Sequence, residues 1–215
     1  MCDQLLTTWT TLLAILAAAF GAATQAAIGF GLNLFLVPVL AFIDPVFVPV
    51  PILFLSFLLS VAASYRLRSA IDWRALGTST GGLLVGTLLA ATLLTVISAG
   101  TLPRLFGGLV VLAVLIPAIG VSVPLTWRSL LAAGCVAGVL GTIAGLHGPP
   151  MALLYQRESG TRVRAAVLPF LVTANGISLL ALTAIGVVGP PHLLATFLLL
   201  PGVAGGFLTA PCSAA

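Results

Sequence analysis

The chain has 215 residues, of which 60% are hydrophobic and 6% are charged, and its mean hydropathy is +1.28. Because a soluble domain carries about 25% charged residues, this composition excludes a soluble globular enzyme and a disordered chain. Its basic residues, all of them arginine, are too few for a nucleic-acid-binding surface, so the sequence predicts an all-α, polytopic integral membrane protein embedded in the lipid bilayer.

Charged residues divide the chain into long charge-free runs that predict the membrane segments. In chain order these are residues 4–43, 45–65, 75–103, 105–127, 129–156 and 165–215. A helix needs about 20 apolar residues to cross the hydrocarbon core, so the first and last runs each hold two segments and the whole chain holds about 7–8.

Two of these runs are interrupted by polar residues and glycine. The first interruption lies at residues 25–33, and the second has the sequence Gly145-Leu-His-Gly-Pro-Pro150. Unpaired backbone is not tolerated in lipid, so each interruption predicts a broken or re-entrant helix buried in protein or facing a cavity. Residues 2–27 are expected to be retained, since Asp3 and the absence of a positive charge argue against a cleaved signal peptide.

The arginines predict the orientation of the chain, because cytoplasmic loops are enriched in basic residues. Two arginine-rich loops are separated by two spans and one hairpin, so both can face the cytoplasm. This assignment leaves Arg104, Asp44 and the amino terminus outside. The arginines placed inside are Arg66, Arg68, Arg74, Arg128, Arg157, Arg162 and Arg164.

The two interruptions also suggest an internal repeat. Gly21 and Gly31 recur as Gly138 and Gly148, 117 positions later, and each break is followed by proline and a short charged connector. The predicted topology places the first connector outside and the second inside, as in the inverted repeats of secondary transporters. The repeat halves would be residues 1–123 and 124–215. The alternative is a chance match in a chain that contains 23 glycines.

Uncharged polar groups near the breaks are the candidate site. No Arg, Asp or Glu lies deep in an apolar run. The start of a broken helix exposes backbone N–H groups and about half a positive charge, so it binds anions without a cationic side chain. Two such breaks facing one another would enclose a small anion. The predicted substrate-binding residues are Gln25, Gly29, Gly31, Asn33, Thr142, Gly145, His147, Gly148 and Asn175.

Several of these polar and glycine residues have structural alternatives. Gly21, Gly138 and Gly141 are better explained by close helix packing. His147 could bind an anion, carry a proton, or be a satisfied buried histidine. Asn175 could cap a break or line a cavity, and His192 is expected to be exposed in a loop. The sequence contains no catalytic constellation, metal-ligand spacing or nucleotide-binding motif, so neither an enzyme nor a cofactor is expected.

Several segments resemble the TauE/SafE (sulfite exporter) permeases. The glycine-rich segment that includes Pro38 resembles the first motif of that family, and the second interruption resembles its second-half counterpart. The order and spacing of the segments carry the resemblance over nearly the whole chain. The similar segments are Ile28-Gly-Phe-Gly31-Leu-Asn-Leu-Phe-Leu-Val-Pro38, Asp72-Trp73-Arg74, Gly81-Gly82, Gly145-Leu-His-Gly148-Pro-Pro150 and Arg164-Ala-Ala.

The resemblance implies a multi-pass inner-membrane permease that exports sulfite or an organosulfonate by alternating access. It makes residues 29–33 and 145–150 the leading candidates for the substrate site, and it leaves assembly into a homo-oligomer open. The sequence differs from the family pattern at His147, where a further small residue is usual, and by one helix fewer at the carboxyl end. The alternative is a non-transporting, degenerate or incomplete membrane paralogue.

Overall fold

The structure is a computed structural model that describes residues 8–29, 31–97, 107–109, 111 and 123–209. Most of the predicted span at 105–127, together with Arg104 and Asp3, lies outside these residues. The described part is helical and contains no strand, which confirms the predicted all-α class. Its α-helices are α1 (Thr8–Ile28), α2 (Leu32–Ile43), α3 (Val50–Arg66), α4 (Trp73–Val96), α5 (Trp127–Ala144), α6 (Gly148–Tyr155), α7 (Gly160–Ala184) and α8 (Pro190–Thr209).

Among these, α1, α4, α5, α7 and α8 are long and apolar enough to cross a membrane, whereas α2 and α3 are shorter apolar helices. At 1.5 Å per residue, the long helices measure about 27–38 Å, close to the thickness of the hydrocarbon core. Large apolar side chains such as Phe42, Leu88 and Leu194 are exposed on the outer faces. A lipid environment accounts for this surface, and the protein is a multi-pass membrane protein.

Helical hairpins occupy both predicted breaks. After α1 ends at Ile28, α2 turns back along it, so that Leu32 packs against Gly21 and the Phe20 and Phe35 rings meet at 5.6 Å. After α5 ends at Ala144, α6 turns back along α5 in the same way. The breaks are shorter than predicted, since residues 29–31 and 145–147 alone separate the paired helices.

Long helices from the two halves of the chain pack in parallel pairs. Gly82 and Gly86 of α4 lie against the backbone of α5, and Gly202 and Gly206 of α8 lie against the backbone of α1. In both pairs, residues later in one helix contact residues later in the other, so the two helices are parallel. A Cβ at any of these four positions would collide with the neighbouring backbone, so the glycines permit the close approach that is common in membrane helices.

At the centre of the bundle, α3 and α7 run antiparallel. Ser56 and Asn175 are hydrogen-bonded at 3.0 Å, while the earlier residue Leu53 clusters with the later residues Leu179 and Leu182. The four helices of the first half can be matched in order to the four of the second, so that α1 corresponds to α5 and α4 to α8. Under this exchange the α4–α5 pair corresponds to the α8–α1 pair, and the α3–α7 pair corresponds to itself. The contacts within the α4–α5, α8–α1 and α3–α7 pairs agree with this exchange.

The arginine-rich loops meet at one end of the bundle. Asp72, at the start of α4, and Tyr155, at the end of α6, line the same small cleft as Ala165 of α7. Trp73 and Trp127 begin α4 and α5 at this end and are 67% and 62% exposed, as is typical of residues at the membrane interface. The arginines of these loops and helix starts are therefore on one side, which is the predicted cytoplasmic side.

Candidate functional site

The first break presents the amino-terminal end of α2 without a side-chain cap. Gly29 and Gly31 have φ angles of 97° and 136°, a region that favours glycine. Gly31 precedes α2 and, having no side chain, offers no side-chain acceptor to the first N–H groups of that helix. These groups, on Leu32, Asn33 and Leu34, have no acceptor within the helix. The first break therefore offers the donor-rich, partially positive helix end that an anion site needs.

The second break is chemically different from the prediction. The N–H groups of Gly145 and Leu146 donate to Gly141 and Leu140 and so cap the end of α5. The following α6 contains Pro149 and Pro150 in its first turn, and proline has no N–H to donate. These two N–H groups are therefore not free to donate to an anion, and the polar side chains close to this break are those of Thr142, His147 and Ser178.

A side chain from the first break contacts the second one. Asn33, in the first turn of α2, donates a hydrogen bond from Nδ2 to the carbonyl oxygen of Gly145. Asn33 is buried, and its Oδ1 atom has no hydrogen-bond partner. The structure thus brings the two breaks together in the interior, although they are 112 residues apart in the sequence.

Beside this contact lies a buried hydroxyl and imidazole cluster, which we call the His147 cluster. The Ser178 hydroxyl is 2.8 Å from Thr142 Oγ1 and 2.9 Å from Nε2 of His147, and Thr142 also donates to Thr87 at 3.3 Å. Each of these four side chains is buried. The cluster consists of Thr87, Thr142, His147 and Ser178, and it joins helices α4, α5 and α7 to the second break.

A second buried polar contact lies between α1 and α3. Gln25 Nε2 donates to Ser60 Oγ at 2.9 Å, and one turn earlier on α3, Ser56 accepts the hydrogen bond from Asn175. Sequence reasoning missed both serines. Ser56, Ser60 and Ser64 recur every four residues within an apolar run, and this spacing places them on one helix face, which is the signal that could have found them.

These contacts form a strip of uncharged polar groups through the interior. Ser178 lies six residues before the end of α7 and Ser60 lies six residues before the end of α3. Because α3 and α7 are antiparallel, the two clusters are displaced toward opposite membrane faces. The helix rise places them about 10 Å apart along the bundle, with the Ser56–Asn175 contact between them. The strip links Gln25, Asn175, Thr142 and His147, four of the predicted site residues.

Other predicted residues have packing roles or a different environment. Side chains added at Gly21 or Gly138 would meet a neighbouring helix, as the packing alternative predicts, whereas one at Gly141 would meet the His147 ring. His192 is in the first turn of α8 and is half-buried. Its Nδ1 accepts the Gly189 N–H at 3.1 Å, so the expectation of an exposed loop position is wrong.

Arg164 adds a structural contact to its predicted role in topology. Its guanidinium donates to the carbonyl oxygen of Ala27 at 3.2 Å, close to the end of α1, where a positive charge interacts favourably with the helix dipole. Within the described ranges, no group of three His, Cys, Asp or Glu side chains is placed to hold a metal ion.

A family comparison agrees with the sequence pattern and the helical bundle. The family model described as sulfite exporter TauE/SafE matches residues 13–214 of the chain. The chain belongs to the TauE/SafE family. It is therefore a member of a family of multi-pass membrane transporters of the sulfite and anion type. No curated protein and no solved structure gives a significant match to this TauE/SafE chain.

Proposed function

We propose that this TauE/SafE protein is a secondary permease that exports a small anion, sulfite or an organosulfonate, across the inner membrane by alternating access. The observation that carries the proposal is the contact between Asn33 and Gly145, which joins two helix breaks beside a buried cluster of uncharged polar groups. The partners are the anion and the lipid bilayer. No cofactor and no catalytic step are part of the proposed function.

The site chemistry suits an oxyanion. The oxygens of an oxyanion accept hydrogen bonds. An anion that leaves water therefore needs hydrogen-bond donors in the protein to offset its lost hydration. The first turn of α2 supplies N–H groups, and the hydroxyls of Thr142 and Ser178, which are bonded to Thr87 and to each other, would turn toward the anion to donate. The residues we assign to substrate binding are Gln25, Gly29, Gly31, Asn33, Thr142, Gly145, His147, Gly148 and Asn175.

Alternating access requires two arrangements of the halves around a shared site, and the packing supports this. We infer an inverted repeat of residues 1–123 and 124–215. A twofold axis in the membrane plane makes equivalent central helices antiparallel, as α3 and α7 are, whereas an axis along the membrane normal would make them parallel. The two hairpins also enter from opposite ends, so each can gate one side of the site.

A flux assay with a matched pair of variants tests the proposal. Purified protein in liposomes loaded with sulfite or sulfoacetate should release the anion faster than protein-free liposomes. Thr142→Val should slow release by about 10- to 100-fold, since a hydrogen bond to a charged group contributes about 1.5–3 kcal/mol. Thr92→Val is the control, because Thr92 is exposed and its hydroxyl bonds only within its own helix, to Leu89.

Either of two results would contradict the proposal. Equal rates of anion release from Thr142→Val and Thr92→Val would show that the His147 cluster is not part of the substrate site. Release at the protein-free rate from a wild-type protein that melts cooperatively would favour the non-transporting paralogue instead.

A further inference from the structure

We propose that the anion binds together with a proton carried by His147, so that anion and imidazolium form a neutral pair inside the protein. This inference rests on the proposed function and assigns the co-substrate of the same site. It concerns the His147 cluster and Asn175, which lies one turn before Ser178 on α7.

At the His147 cluster, an anion has no permanently positive side chain within reach among the described residues, since Arg164 lies against Gly29 at the other end of the first break. Arg74, Arg128 and Arg164 lie 13 to 14 positions before the cluster residues of α4, α5 and α7, which is about 20 Å along each helix. An unpaired buried charge is costly. A titratable group that becomes positive only when the anion arrives removes this cost without leaving a charge in the empty site.

Among the described residues, His147 is the titratable group that lies at this cluster. Its side chain is 0% exposed, and its ring fills the space that a side chain at Gly141 would need. The ring is thereby held against α5, with Nε2 at 2.9 Å from the Ser178 hydroxyl. The Nδ1 atom has no hydrogen-bond partner.

The polar neighbours suit the protonated ring. An imidazolium donates from both nitrogens, whereas a neutral imidazole donates from only one. Ser178 Oγ can accept from Nε2. Asn175 lies one turn before Ser178 on α7, on the same helix face, and its Oδ1 atom is buried without a partner, so it is the acceptor available when Nδ1 becomes a donor. Both acceptors are uncharged, so protonation is favoured only when the anion supplies the balancing charge.

The titratable side chains on the surrounding helices are far from this ring along their helices. Tyr155 is eight residues further along the second hairpin, and Cys135 lies two turns before Thr142 on α5. The remaining groups on the packed helices lie near helix ends, and α2 and α6 carry no charged side chain. These remaining groups are Tyr65 and Arg66 on α3, Arg74 on α4, Arg128 on α5, and Arg162 and Arg164 on α7.

Co-binding has a quantitative consequence. When two ligands stabilise each other, each raises the affinity for the other by the same factor. If one proton is taken up per anion, the affinity for the anion rises up to tenfold for each unit of falling pH while the empty site is neutral. The effect should level off once His147 is protonated in the free protein.

Calorimetry on the purified protein tests this with methanesulfonate, whose charge is constant across the neutral pH range. Binding is measured between about pH 6 and 8, where ordinary histidine titrates, in two buffers with different ionisation enthalpies. We expect about one proton taken up per bound anion and affinity that rises as the pH falls. His147→Gln keeps a side-chain nitrogen but cannot titrate, so its proton uptake should vanish. His192→Gln is the matched control and should behave as wild type.

The outcomes separate this inference from the proposed function. Saturable binding by the wild type without proton uptake would overturn the inference and leave the permease proposal intact. Proton uptake that persists in His147→Gln, or disappears in His192→Gln, would also overturn it. No saturable binding at any pH, together with release of sulfite and sulfoacetate at the protein-free rate in the liposome assay, would overturn both. If His147→Gln does not fold, the proton count of the wild type remains decisive.

Discussion

Adjacent glycines on α4 allow a direct test of the parallel α4–α5 contact. Gly82 faces α5, and a Cβ there would collide with the backbone of Leu131 and lie 3.0 Å from the Cys135 nitrogen. Gly81 is exposed, and a Cβ there would meet only the Leu131 Cδ2 atom, at 3.7 Å. We predict that Gly82→Ala destabilises the protein and that Gly81→Ala does not.

The expected difference follows from two terms. Alanine in place of glycine favours a helix by up to about 1 kcal/mol, and this gain applies to both variants. Only Gly82→Ala forces two helix backbones apart, and overpacking of this kind costs about 1–3 kcal/mol or more. Because the obstacle is backbone rather than a flexible side chain, we expect the upper part of that range. The two variants should then differ by about 2–3 kcal/mol.

Thermal unfolding of the two variants in the same detergent measures this difference. For a chain of this size, 1 kcal/mol shifts Tm by about 2–4 °C. Gly82→Ala should therefore melt about 4–12 °C below Gly81→Ala, with wild type at or slightly below Gly81→Ala. Equal melting of the two variants would refute the backbone contact between α4 and α5 and the packing argument built on it.

Three further predictions concern the site and the topology. Ser178→Ala removes the hydroxyl that bonds to both Thr142 and His147. It should therefore lower the free energy of unfolding by about 1–3 kcal/mol and slow anion release in the liposome assay. Unchanged release would contradict the place of Ser178 in the site. Asn33→Leu should lower the melting temperature and reduce release, since the Gly145 carbonyl loses its donor; wild-type stability would argue against that contact. A cysteine introduced at the exposed Gly160, with the native cysteines replaced, should react with an impermeant thiol reagent only from the cytoplasmic side, and labelling from outside would reverse the proposed orientation.

The sequence by itself determined the class of protein and the positions of the helix breaks. Sparse charges and long apolar runs require helices in lipid, because only regular helices pair all of their backbone groups there. Glycine at residues 29, 31 and 145 marks the breaks, since these positions have positive φ in the structure. The clustering of arginines at one end of the bundle could also be predicted from the sequence, because it depends only on chain order and on the number of membrane crossings.

Tertiary structure alone decided which polar groups meet. No local pattern relates Asn33 to Gly145, or Thr142 to Ser178, since these contacts depend on how helices far apart in sequence pack. The same holds for the second break, whose first N–H groups cap α5 instead of remaining free. Apolar periodicity indicates which residues are kept from water. It does not separate lipid-facing from protein-facing residues in a membrane protein, because both environments are apolar. Burial of Ser56 and Ser60 therefore required the three-dimensional packing of α3 between α1 and α7.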